Sequence, residues 1–507
     1  MSNSLLTFLT LIPFVGALLI AFLPAKHTGI IRAAGLGFSF AALGAALALA
    51  LSYNRVAGGL QFVERHDWIP SLHIQYFLGA DGLSLLLLLL TGIVTPFALL
   101  ALGDRANKLG FSLILLLQTT LFGTFTALNF IHWFLFYELS LVPVFLLIRM
   151  GGSAKATAAA TQFFIYTLFG GFAMLLGFLA IHQATGSFDL INLAALARDG
   201  KLGAALTAAF HWQPNWIASL VFGGIFLGLA VKVPVVPFHT WLPDAYTEAP
   251  APVSMLMTGV LSKMGVYGFL RLLMPLFPEQ MHAFQAPLLA FAVVTIVFSA
   301  LAALAQTDLK RIVAYSSINH LGYCLLGIFA VAATFNETGM TNERAAAMNG
   351  VLLQVFNHGI TAAALFCFVG FIERRSDGLR GLNDFGGLRT AAPVLTGLMG
   401  ISIFSSLGLP GLNGFVGEFL IFKGSFALTP VASTFAAIGL FVTAVFLLNM
   451  IQRVFTGPLG ERWAAFPDLT TGERLTVVPI IALMFVLGIC PQLLISLFNN
   501  TVLKLLP

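Results

Sequence analysis

The sequence predicts an all-α polytopic membrane protein of about fourteen transmembrane helices, with two inverted five-helix repeats that each contain a broken helix. Three observations lead there. Of 507 residues, 59% are hydrophobic and only 9% are charged, against roughly 25% charged in a soluble domain. The apolar residues fall into fourteen runs of spanning length, roughly 20 residues each. Two of those runs are interrupted by proline and glycine. The scarcity of long polar stretches leaves no room for a soluble catalytic domain, which excludes Rossmann, P-loop and kinase-type enzymes.

The runs justify the elements in order. Residues 1–109 hold spans near 4–23, 30–52 and 83–103. The first has no Lys or Arg before its apolar core, so it is read as a span and not as a removed signal. Residues 110–275 hold five spans, near 110–128, 130–149, 161–183, 215–238 and 252–275, and form the first repeat. Residues 285–452 hold five more, near 285–305, 311–333, 345–372, 391–425 and 430–452, and form the second. Residues 453–507 add a last span near 474–498. Pro234 and Pro237 interrupt the fourth span of the first repeat. Gly408, Pro410, Gly411, Gly414 and Gly417 interrupt the fourth span of the second. Proline and glycine free backbone groups that the protein itself must then satisfy. A five-span period inverts the second unit relative to the first, and inverted repeats with discontinuous helices are a transporter signature.

Basic residues set the orientation. The net charge is +5. With both termini outside, the inside loops collect most of the Lys and Arg, as the positive-inside tendency requires. Arg271 and Arg344 fall among the minority assigned to outside loops. Cys324, Cys367 and Cys490 are far apart in apolar runs with no CxxC, which argues against iron–sulfur ligation or a disulfide framework.

A few ionisable residues cannot be placed in loops. Glu138 lies in IHWFLFYELSLVPVFLL, Lys232 in FLGLAVKVPVVPFHTWLPDA, Lys263 in MLMTGVLSKMGVYGFL and Glu418 in GLNGFVGEFLIF. His320 and His358 lie in similar settings. An ionisable side chain within the bilayer is costly, faces a partner or water, and marks a functional path. Together these six side chains make a set that can gain and lose protons. Desolvation weakens a lysine's hold on its proton and a nearby carboxylate restores it, so moving Glu138 relative to Lys232 would load or release a proton. Ser316, Ser317, Asn319, Tyr166, Thr167, Asp244, Glu248 and His239 are lesser candidates for a hydrated path or its mouth.

The motifs also carry a resemblance. VKVPVVPFHTWLPDAYTEAP (231–250), APVSMLMTGVLSKMGVYGFLR (251–271), QTDLKRIVAYSSINHLGY (306–323), FYELSLVPVFLL (136–147) and LPGLNGFVGEF (409–419) resemble the antiporter-like, proton-translocating subunits of respiratory complex I. Mrp-type sodium/proton antiporters and membrane-bound hydrogenases share that superfamily. Glu418, where other branches place lysine, is similar to the M-type branch, equivalent to mitochondrial subunit 4. The resemblance implies proton translocation through Glu138, Lys232, Lys263, His320, His358 and Glu418. It implies no cofactor in this chain, with NADH, FMN, iron–sulfur clusters and quinone held by partner subunits. It implies L- and N-type neighbours in the membrane arm and a bacterial inner membrane with periplasmic termini. A Mrp-type antiporter subunit, a photosynthetic or hydrogenase relative, and a single-site substrate transporter are the competing readings.

Overall fold

The computed structural model describes residues 4–72, 74–103, 107–211 and 216–506. The first three residues of the chain and the first residue of the expected 215–238 span lie outside them. Among the described residues, twelve helices are long and apolar enough to cross a membrane. Eleven of them match expected spans to within a few residues, and the twelfth, Thr471–Ile489, covers the first part of the expected 474–498. The other two expected spans are both present in shorter pieces. Trp216–Lys232 stops at the lysine, and Pro393–Ser406 and Asn413–Leu428 replace the long twelfth run.

Burial sorts the helices into layers. Ala251–Leu276, Leu309–Ala333 and Thr341–Arg375 are buried along their apolar windows, and Gly82–Ala101 nearly so. The outer helices Leu5–Phe22, Ala156–Thr185, Pro430–Phe455 and Thr471–Ile489 present Phe8, Leu19, Phe169, Leu176, Phe441 and Leu475 to the surroundings. Such apolar girdles are stable in lipid, where helix association rests on packing and not on hiding apolar surface from water.

Both expected breaks form, and each has a local cause. After Lys232, Pro234 and Pro237 lack N–H donors, and the Val236 N–H is taken up by Thr295 Oγ1 at 3.0 Å on the Gln285–Leu304 helix. The chain resumes as Trp241–Glu248. In the second break, Gly408 (φ +78°) and Gly411 (φ +93°) adopt the left-handed region that a side chain disfavours. Asn357 and Asn413 then clamp the break reciprocally. The Asn357 amide donates to Asn413 O at 2.6 Å, and the Asn413 amide donates to Asn357 O at 3.2 Å.

Three features depart from the sequence reading. The all-α expectation misses an antiparallel hairpin, Gln61–Ile69 with Ile74–Ala80. It is bound to the first helix through Glu64, which accepts from Leu6 N at 2.7 Å and from Thr7. The hairpin face also carries the short helices Leu190–Arg198, Lys201–Phe210 and Gln492–Leu505. The last of these takes up part of the expected 474–498 span, whose helix ends at Ile489. Arg271 and Arg344, expected in outside loops, are buried within the Ala251–Leu276 and Thr341–Arg375 helices. Each reaches internal acceptors there: Asp81 for Arg271, and the Thr334 and Glu337 carbonyls for Arg344. The Ala251–Leu276 helix is itself irregular, with π-helical turns at Met257–Leu261 and Phe269–Leu273.

Candidate functional site

Four of the six candidate residues meet in one line through the buried layer. Lys263 is fully buried on the irregular helix. Its Nζ lies 2.8 Å from His358 Nδ1 and donates to the Thr258 carbonyl, with Ser262 Oγ at 3.5 Å. The π-turn at Met257–Leu261 supplies that carbonyl, because such a turn shifts the hydrogen-bond ladder and leaves acceptors over. His358 and His320 face each other with ring centroids 5.2 Å apart. His320 Nδ1 lies 3.0 Å from Glu418 Oε1, and its Nε2 lies 3.1 Å from Ser406 Oγ. Glu418 sits one helical turn beyond the second break, with Gly408 against its carboxylate.

Sequence reasoning missed the residues that join this line. Gln354 donates to Glu418 Oε1 at 3.1 Å and lies 3.3 Å from His320 Nδ1, bracing both. Its signal was present: it precedes His358 by four residues, which puts both on one helical face. Ser406 was hidden by its position at the end of an apolar run. Thr258 bonds Ser317 across the helices at 2.9 Å, which places one of the lesser candidates beside Lys263.

Lys232 and Glu138 stand in a separate arrangement. Lys232 Nζ sits 4.5 Å from the Tyr137 ring centroid and donates to Ser140 Oγ at 3.4 Å. A cation over an aromatic face is stabilised by about 0.5–2 kcal/mol. Tyr137 and Ser140 flank Glu138 in sequence, yet both Glu138 carboxylate oxygens are buried without a hydrogen-bond partner. Glu138 lies against Gly171 and lines an apolar groove of about 790 Å³ beside the hairpin. The sequence expected a Glu138–Lys232 couple; the structure puts Glu138 on Phe130–Leu139 and Lys232 at the end of Trp216–Lys232, near enough for their charges to interact, though without a direct ion pair. The lysine pair is linked through packing, since Gly265 leaves room for the Val233 backbone that follows Lys232.

The lesser candidates divide. Asn319 donates to Thr443 Oγ1 at 2.5 Å, and Thr167 merely bonds back to Phe163 O at 2.6 Å. Tyr166 accepts from Thr240 at 2.9 Å. Asp244 pairs with Arg311 at 2.5 Å, Glu248 accepts from Ser153, and His239 packs edge-on against Phe298. Those contacts hold the face opposite the hairpin, where Lys310–Glu373, Arg380–Glu373 and Arg380–Asp308 add a network of ion pairs.

A helical membrane bundle with two broken helices and a line of protonatable side chains through its middle defines the class: an antiporter-like ion-translocating subunit. The chain belongs to the family described as NADH:quinone oxidoreductase/Mrp antiporter, whose profile matches residues 127–446. A Rickettsia typhi protein named NADH-quinone oxidoreductase subunit M is 34% identical over 450 residues, covering 88% of this chain and 86% of that one. A Mycobacterium tuberculosis protein of the same name is 32% identical over 535 residues, covering 98% and 93%. Among solved structures, a chain of respiratory complex I from Thermus thermophilus with bound NADH superimposes with a TM-score of 0.84 at 28% identity. It covers 99% of this chain and all of that one. A chain of the Mrp complex from Dietzia shares the fold, with a TM-score of 0.82 at 20% identity over 100% and 97% of the two chains.

Proposed function

We propose that this chain is a proton-translocating, antiporter-like membrane-arm subunit of an NADH:quinone oxidoreductase, without a redox centre of its own. The observation that carries the reading is the Lys263–His358–His320–Glu418 line, whose neighbouring groups lie within hydrogen-bond or ring-stacking reach. A proton on Lys263 has an acceptor at His358, and one on His320 has an acceptor at Glu418. Between the two rings the transfer passes through rotation of the His358 imidazole, the side-chain type best suited to shuttling protons near neutral pH. Gln354 and Ser406 fix the His320 ring so that it presents one nitrogen to the carboxylate.

Glu138 and Lys232 form the input half of this scheme. The unpartnered Glu138 carboxylate takes a proton when Lys232 is on Tyr137 and Ser140, and gives it up when the lysine moves toward it. Residues 110–275 and 285–452 are the two inverted units, and 1–109 and 453–507 flank them. Electron transfer from NADH through FMN and iron–sulfur clusters to quinone belongs to partner subunits, and L- and N-type chains flank this one. The membrane is the bacterial inner membrane, with both termini on the periplasmic side and fourteen crossings in all.

The test uses inside-out membrane vesicles. Glu138→Ala and Lys232→Ala each abolish NADH-driven acidification while a native gel still shows the assembled complex. Normal pumping by the assembled mutants sinks the reading. Migration of the chain in a smaller assembly without NADH dehydrogenase activity moves it to a cation/proton antiporter.

A further inference from the structure

One buried cluster branches from the Lys263 end of the line just described. Lys263, Tyr267 and Arg271 follow one another at four-residue spacing, so they share a face of the helix that runs from the centre toward the hairpin. All three are buried. On this face Tyr267 and Arg271 lie beyond the central lysine toward the outside, and any proton route along it must be closed if protons are to continue to Glu418.

We infer that the Arg271–Asp81 pair is an insulating plug that keeps Lys263 from exchanging protons with the hairpin face. The inference rests on the proposed proton path. The Tyr267 hydroxyl donates its only proton sideways, to the Phe125 carbonyl at 3.2 Å, and Ser84 Oγ, 3.4 Å away, is then left as a donor to it. The Tyr267 oxygen accepts from Arg271 Nε at 3.2 Å. Arg271 Nη2 donates to Asp81 Oδ1 at 2.7 Å and reaches Ser84 Oγ at 3.4 Å. A guanidinium has donors and no acceptor, and it does not give up its proton in a protein. A hydrogen-bonded wire therefore ends at Arg271 from either direction. A fixed arginine also serves as an electrostatic barrier to protons in selective pores.

Asp81 is held too firmly to relay. Its carboxylate also caps the Gly82–Ala101 helix by accepting from Ser84 N at 3.0 Å. The Gln492–Leu505 helix seals the pair from outside. A methyl group at Gly82 would stand 2.5 Å from Leu497 O and 2.6 Å from Phe498 Cα, and Thr501 Oγ1 accepts the Gly82 N–H at 3.1 Å. The plug thus has a protein roof in place of a water-filled mouth.

The experiment reads passive proton entry, so it needs no turnover. Vesicles carrying the whole complex and a trapped pH-sensitive dye receive an acid pulse without NADH. Arg271→Gln speeds the internal acidification several-fold over wild type, because glutamine offers an acceptor where the guanidinium had none. The double variant Arg271→Gln/Tyr267→Phe restores the wild-type rate, because the hydroxyl needed to complete the wire is gone. Asp81→Asn keeps a helix cap but unpins the arginine, and it leaks as well. It serves equally if Arg271→Gln fails to assemble. Tight vesicles from Arg271→Gln or Asp81→Asn overturn the inference, as does a double variant that leaks as fast as the single one. A merely structural ion pair lowers the amount of assembled complex and leaves what assembles proton-tight. Failure of the proposed function appears elsewhere, as an absence of NADH-driven pumping in the wild type.

Discussion

Gly171→Ala tests whether the position of the Glu138 carboxylate matters, with a change that adds one methyl group on a different helix. That methyl would overlap Glu138 Oε1 and stand 2.7 Å from its Cδ. Ordinary contact begins near 3.4 Å, so the carboxylate must retreat by about 1 Å. The retreat costs little stability, because the atoms that move are the end of a flexible side chain without a hydrogen-bond partner. Alanine in mid-helix also returns roughly 0.5–1 kcal/mol relative to glycine. Assembly is therefore unchanged. Proton transfer is not, since a displacement of about 1 Å can slow a positioned step on the order of a hundredfold. The assay is dye-reported acidification per NADH oxidised in inside-out vesicles. Gly223→Ala is the control, because its added methyl meets nothing within 4 Å. Assembled Gly171→Ala complex with the wild-type pumping ratio refutes the reasoning.

Other outcomes follow from other contacts. Glu418→Gln impairs pumping, whereas Glu418→Asp retains part of it; full activity in both assigns Glu418 to backbone support alone. Gln354→Leu leaves Glu418 one donor short and reduces pumping while NADH oxidation by the complex persists, a split read by assaying both in the same vesicles. Gly350→Ala pushes a methyl into the Ile421 amide and to 2.9 Å from Gly417 O. Backbone does not yield as a side chain does, so overpacking of about 1–3 kcal/mol lowers the yield of assembled protein on a native gel. On the face opposite the hairpin, burial pushes the Asp468 carboxyl up. The Val394, Leu395 and Leu469 N–H groups outweigh that effect and hold it below the ordinary aspartate value of 3.8. A depressed carboxylate stabilises the fold above its unfolded value and loses that contribution as pH falls through the folded one. Asp468→Ala thus costs about 1 kcal/mol, as for a lost helix cap, at neutral pH. The difference in thermal midpoint from wild type shrinks below pH 3.8.

Legibility followed the physics of each feature. Spans such as Gln285–Leu304 and Pro430–Phe455 could be located to within a few residues, because apolar length alone decides them. Both breaks were visible because proline lacks a donor and glycine tolerates left-handed backbone. The hairpin was not, since Gln61–Ile69 reads as an ordinary polar loop until Glu64 meets the first helix. Arg271 misled for a related reason: a guanidinium near the end of an apolar run resembles a loop residue, and only Asp81, 190 positions earlier in the chain, makes its burial tolerable.

The sequence by itself determined that this chain lives in a membrane, where its helices run and break, and which ionisable side chains lie within it. Those properties depend on residue type and local spacing. The tertiary structure alone decided the order of those groups. It put Lys263, His358, His320 and Glu418 in one line and inserted Gln354 and Ser406 as braces. It set Lys232 against Tyr137 and Ser140 while leaving it within electrostatic reach of Glu138, and placed Arg271 beyond Tyr267. Such contacts join residues scores of positions apart, and hydrogen bonds select partners within about half an ångström. That precision exists only once the helices are packed.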